Sequence, residues 1–119
     1  MGGYHSPSPW EVRELSLTDG SATLIQTHVV PLGEILQLEV NINLYKTSDG
    51  SEVASMKEYV SFKNVATVIT QLNTQPARPE RVRSKGAYAI SYDVATASVV
   101  KIKVTGENGL YAKSRVLRV

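Results

Sequence analysis

The chain of 119 residues has no cysteine. Disulfide frameworks, zinc–thiolate sites and thiol nucleophiles are excluded together. Long apolar runs are missing too, since no segment reaches the roughly 18–20 apolar residues that span a bilayer. The first nine residues lack the charged and apolar regions of a signal peptide. The chain is therefore expected to be made and used inside a cell, or to have lost a leader or anchor upstream of Gly2. Net charge is scarce as well. A formal +2 is too small to imply nucleic acid by itself.

Groups for catalysis are equally sparse. His5 and His28 are the two histidines, and a triad around His28 would have to recruit Asp19 or Asp93 and a serine without any Gly-x-Ser-x-Gly elbow. The carboxylate pairs nearest in sequence, Glu11/Glu14 and Glu34/Glu39, have opposite strand parity, so their members face different sides of a sheet. There is no His-x-x-x-His spacing, no Asp-x-Asp-x-Asp loop with a distal Glu, and no Gly-rich loop leading into a helix. A non-enzymatic protein with no metal and no cofactor is expected.

What is present is alternation. Residues 36–44 read Leu-Gln-Leu-Glu-Val-Asn-Ile-Asn-Leu, apolar at every even position and polar at every odd one. A strand sends successive side chains to opposite faces, so this segment has a core face and a water face. Val100, Ile102 and Val104 alternate with Lys101 and Lys103 in the same way, and Tyr88, Ile90, Tyr92 and Val94 with Ala89, Ser91 and Asp93. Further strands are expected over 10–17, 22–30, 65–72 and 110–119. Asp-Gly at 19–20 and 49–50 and Asn-Gly at 108–109 supply tight turns.

Residues 52–62 fit two patterns. Ala54, Met56, Val60 and Phe62 share strand parity, although Glu58 interrupts their face, whereas Val53, Met56 and Val60 share helical spacing. A strand is favoured because the preceding hairpin returns the chain antiparallel to 34–45. Residues 73–85, with Pro76 and Pro79 and no periodicity, read as a long loop.

Apolar residues at 42% and charged residues at 20% describe one foldable domain. The expected architecture is all-β: an antiparallel, immunoglobulin-like sandwich of about seven to eight strands over 10–119. Residues 1–9 are expected to form a flexible arm, free or docked on a neighbouring subunit.

The densest charge lies in the 73–85 segment, where Arg78, Arg81, Arg83 and Lys85 fall within eight residues. Arginines grip phosphate or carboxylate with paired hydrogen bonds. These four are the expected partner-binding residues, for an acidic protein patch or nucleic acid. The bland alternative is a solvated loop whose charges discourage sheet aggregation. The tyrosines could form a platform for a partner or a sugar, though Tyr88 and Tyr92 share a face with Ile90 and Val94 and suit core packing.

The stretch Tyr88-Ala89-Ile90-Ser91-Tyr92-Asp93-Val94 resembles the late core strand of immunoglobulin-like and fibronectin-like modules. Residues 100–109, Val-Lys-Ile-Lys-Val-Thr-Gly-Glu-Asn-Gly, followed by a last strand, are similar to the C-terminal hairpin of archaeal pilin-like and archaellum accessory proteins. This chain lacks the N-terminal hydrophobic helix of those proteins. The resemblance implies an extracytoplasmic structural domain at the cell surface that packs against itself or a surface-layer protein, in an archaellum- or pilus-type appendage. The expected function is thus a structural or adhesion module acting by protein–protein contact and self-association. Edge pairing through 10–17 and 110–119 is its expected mechanism. A virion or tail component is the alternative, and a nucleic-acid-binding module using the 78–85 segment is a second.

Overall fold

A computed structural model describes residues 13–18, 21–82 and 88–119. They form eight strands: β1 (Arg13–Ser16), β2 (Ala22–Val29), β3 (Ile35–Lys46), β4 (Glu52–Val65), β5 (Val68–Val82), β6 (Ala89–Asp93), β7 (Val99–Thr105) and β8 (Leu110–Arg118). The Trp10 end of the first expected strand and the 1–9 arm lie outside the described residues. All strand pairing is antiparallel, in a five-stranded sheet β1-β8-β3-β4-β5 and a three-stranded sheet β2-β7-β6.

Alternation dictates how the sheets meet. Leu36, Leu38, Val40, Ile42 and Leu44 of β3 are buried, and so are Val100, Ile102 and Val104 of β7. Both sets belong to one apolar cluster, so the two sheets close face to face over a shared core. Burying each such side chain contributes about 1.5–3 kcal/mol. The odd-numbered residues of β3 are left on the outer face of the larger sheet.

Residues 52–62 are strand, within β4. Glu58 keeps core-side parity because it has a partner there: the Tyr92 hydroxyl donates to Glu58 Oε1 at 2.6 Å. Tyr92 also meets Phe62 edge-on, with ring centroids 5.3 Å apart. Burial and the Glu58 hydrogen bond push the Tyr92 phenol well above its ordinary range.

Four expectations are corrected. Residues 73–82 are not loop but the second half of β5, paired with β4. Proline is compatible with this because β5 is an edge strand with a neighbour on one side only. Pro76 pairs with Glu58, and Pro79 falls in a bulge between the Ala77–Lys57 and Arg81–Ser55 pairs. The expected 65–72 strand is split, because Val65 ends β4 and Val68 begins β5 across the two-residue turn Ala66-Thr67.

The expectation that 110–119 forms an edge also fails, since β8 lies between β1 and β3. Finally, the strand order departs from that of constant-type immunoglobulin domains. There the first two strands are neighbours in one sheet, whereas β1 and β2 lie in different sheets here.

Candidate functional site

The outer face of the five-stranded sheet is built from pairing register. β3 lies between β8 and β4, and each outward residue of β3 stands opposite one from either side. Successive rows read Leu117–Glu39–Tyr59, Arg115–Asn41–Lys57 and Lys113–Asn43–Ser55. Directly opposite residues on one face have Cβ atoms about 4.5–5.5 Å apart. Residues 41, 57 and 115 are distant in sequence, yet they form one continuous line. The rows border a shallow recess of about 470 Å³.

Short polar contacts fix the amides in the recess. Asn41 Nδ2 donates to Glu39 Oε2 at 3.0 Å and, at 3.5 Å, to the Arg115 carbonyl. The Ser55 hydroxyl donates to Asn43 Oδ1 at 2.9 Å. Asn41 thus presents its oxygen as an acceptor, and Asn43 its NH2 as a donor. Next to these rows Tyr45 stacks on Tyr111, with centroids 5.4 Å apart, and Lys113 Nζ lies 5.3 Å from the Tyr45 ring centre. An ion pair among the described residues lies on the other sheet, where Lys103 Nζ meets Asp93 Oδ2 at 3.3 Å. The Asp93 carboxyl is held below its ordinary range by the Ala95 amide and then by Lys103.

One end of the sandwich differs from this polar middle. It gathers the β2–β3 connection at 31–34, the β4–β5 turn and the β6–β7 connection at 94–98. Six of the nine large apolar residues exposed among the described residues lie there: Val29, Leu32, Ile35, Val65, Val68 and Val119. Val119 joins this end because its amide donates to the Gln37 carbonyl at 3.0 Å.

The same end is held by Asn64, which is completely buried. Its Nδ2 donates to the Val30 carbonyl at 2.7 Å and to Ser98 Oγ at 2.9 Å. Its backbone amide donates to Glu34 O at 3.0 Å, and its carbonyl accepts from Gly33 N at 2.9 Å. Ser98 N donates in turn to Thr67 O at 2.9 Å. Ala66 (φ 52°), Thr67 (φ 69°) and Ser98 (φ 59°) all adopt the left-handed region, where non-glycine residues are strained.

The sequence-derived site maps differently. Arg78 and Arg81 lie on edge strand β5, with Arg81 opposite Ser55 in register. Arg83 and Lys85 lie outside the described residues, as do the side chains of Arg78 and Arg81. His28 bonds Gln26, with Nε2 and Oε1 2.9 Å apart. Asp93 lies at the far side of the same sheet on β6, and Asp19 is outside the described residues. Lys57 and Arg115, central to the recess, are not among the four expected partner-binding residues. The readable signal was their odd parity, but not which strands would flank β3.

No family model and no curated protein matches the chain. Among solved structures, it is similar to the Acinetobacter phage vB_ApiP_P1 tailspike protein, with TM-score 0.44 and 15% identity over 98% of this chain and 24% of that one. It is also similar to the Acinetobacter baumannii phage AM24 tailspike protein, with TM-score 0.43 and 7% identity over 91% of this chain and 26% of that one. The chain spans about a quarter of the length of each. No helix among the described residues is long and apolar enough to cross a membrane.

Proposed function

We propose that this domain is a non-enzymatic structural module that assembles with a second copy of itself through its apolar end. The setting is an extracytoplasmic one, a surface appendage of the archaellum or pilus type or, as the alternative, a virion or tail. The observation that carries the reading is the concentration of Val29, Leu32, Ile35, Val65, Val68 and Val119 at one end. Contiguous exposed apolar surface of that kind suits a protein contact.

A second copy fits it best. The exposed Glu34 and Lys63 border the same apolar residues, so a two-fold contact would set each acid against the partner's base. Val65 and Val68, on either side of the two-residue turn, are 55% and 64% exposed. Edge pairing through β5 is opposed by Pro76 and Pro79, so an end-on contact is preferred to continuation of the larger sheet.

Sedimentation across a concentration series tests this. Wild type is expected to associate, and Val65→Thr/Val68→Thr, which keeps side-chain shape and strand preference, is expected to remain monomeric with an unchanged circular dichroism spectrum. A wild-type protein that stays monomeric up to about millimolar concentration, the weak end of specific association, overturns the reading.

A further inference from the structure

We infer that the recess on the outer face of the five-stranded sheet binds an acidic sugar unit, a carboxylate or phosphate carried on a hydroxylated ring. The residues are Lys57, Arg115, Asn41, Asn43 and Glu39, all of which line the recess. None of them belongs to the apolar end, so this site and self-association stand or fall separately.

The argument begins with charge. Lys57 and Arg115 face one another across Asn41 in a single row. Coulomb repulsion between two such cations is relieved by an oxyanion placed between them. An arginine fork and a lysine point charge each suit a carboxylate or phosphate oxygen, and the Asn43 NH2 adds a neutral donor in the next row.

Acceptors then narrow the ligand. Glu39 lines the same recess and uses one carboxylate oxygen for Asn41. A ligand that was only an anion would meet repulsion from Glu39. One with hydroxyl groups beside its anion would donate to the second Glu39 oxygen and to Asn41 Oδ1. Tyr59 stands opposite Glu39 in register, just outside the recess, and is 41% exposed. At about 470 Å³, the recess is within the range that holds a small ligand.

Nucleic acid fits less well. Sequence-tolerant binding of single strands needs several open rings on which successive bases stack. Tyr45 is stacked against Tyr111 and has Lys113 beside it, which leaves Tyr59 as the open ring of these rows.

The test is amide chemical-shift titration of the 119-residue chain with glucuronate, glucose 6-phosphate, glucose, acetate and hexaglutamate. Glucuronate, glucose 6-phosphate or both should shift Asn41, Asn43, Lys57 and Arg115. Whichever acts identifies the carboxylate or phosphate source. Glucose and acetate at equal concentration should shift them far less. Lys57→Gln/Arg115→Gln should weaken binding by about tenfold or more, with little change in melting temperature because both side chains lie on the solvent side of the sheet.

Equal response to acetate would reduce the site to an oxyanion contact and overturn the sugar assignment. Equal response to glucose would remove the role of the cations. Tighter binding of hexaglutamate than of either sugar acid would assign the face to an acidic protein, and no shift with any probe would refute a site there.

Discussion

The two ends of the sandwich make their turns by opposite means. At one end the β3–β4 and β7–β8 connections place Gly50 (φ 74°) and Gly109 (φ 83°) in the left-handed region, where glycine carries no steric penalty. Local contacts complete them. Asp49 Oδ1 accepts from the Ser51 amide and hydroxyl at 2.9 and 2.7 Å, and the Ser51 amide is the main reason the Asp49 carboxyl is held below its ordinary range. The Gly109 carbonyl accepts from Thr47 N at 2.9 Å.

At the other end Gly33 is accompanied by Ala66, Thr67 and Ser98 in the same backbone region. Tertiary hydrogen bonds link three of them: Gly33 N donates to Asn64 O, Asn64 Nδ2 to Ser98 Oγ, and Ser98 N to Thr67 O. Turn chemistry shapes the first end, whereas the fold imposes the second, and exposed apolar residues cluster on the imposed one.

The largest expected effect breaks that contrast at Asn64. Asn64→Ala removes the Nδ2 bonds to Val30 O and Ser98 Oγ and leaves a buried carbonyl without its donor, a loss only partly offset by removing Asn64 Oδ1, which is buried with no partner among the described residues. Chemical denaturation should show a loss of about 2–4 kcal/mol. A change within about 0.5 kcal/mol, typical of an unremarkable surface site, would show that Asn64 does not hold this end.

Next comes the turn itself. Ala66→Asn/Thr67→Gly gives the β4–β5 hairpin the residues that a two-residue turn with two positive φ angles prefers. A gain of about 1–2 kcal/mol is expected from relieved strain. An unchanged or lower stability would mean that little strain is stored there.

A smaller effect lies away from both ends. Ser114 Oγ is buried with no partner among the described residues, so Ser114→Ala should be neutral or stabilise by up to about 1 kcal/mol.

The smallest effect is confined to alkaline pH. Burial and Glu58 raise the Tyr92 pKa on folding. The resulting stability is complete below the ordinary phenol value of about 10 and is lost as pH rises beyond it. Melting temperatures from neutral pH upward should therefore fall more steeply above that point in wild type than in Tyr92→Phe.

Much of the fold was legible where local chemistry decided it. The 36–44 alternation gave β3 its two faces, Lys101 and Lys103 marked the outer side of β7, and Asp-Gly and Asn-Gly marked two turns. The Ala66-Thr67 turn was not legible, because neither residue favours positive φ and the tertiary bond to it comes from Ser98, which is distant in sequence. β5 was hidden by prolines that only an edge position tolerates.

The site was less legible still. The run Arg78–Lys85 is dense in sequence, whereas Lys57 and Arg115 meet Asn41 only because β4 and β8 flank β3. Strand order is set by the core as a whole and not by any local signal.

Native-state hydrogen exchange at two amides tests the central claim most directly, that Asn64 holds the apolar end in its displayed form. Ser98 N, bonded to Thr67 O, reports the imposed end, and Gly50 N, bonded to Lys46 O, reports the glycine end. In wild type Ser98 should exchange only with global unfolding. In Asn64→Ala it should exchange through local opening far more readily, while Gly50 follows only the change in overall stability. Equal loss of protection at both amides, or none at Ser98, would contradict the claim.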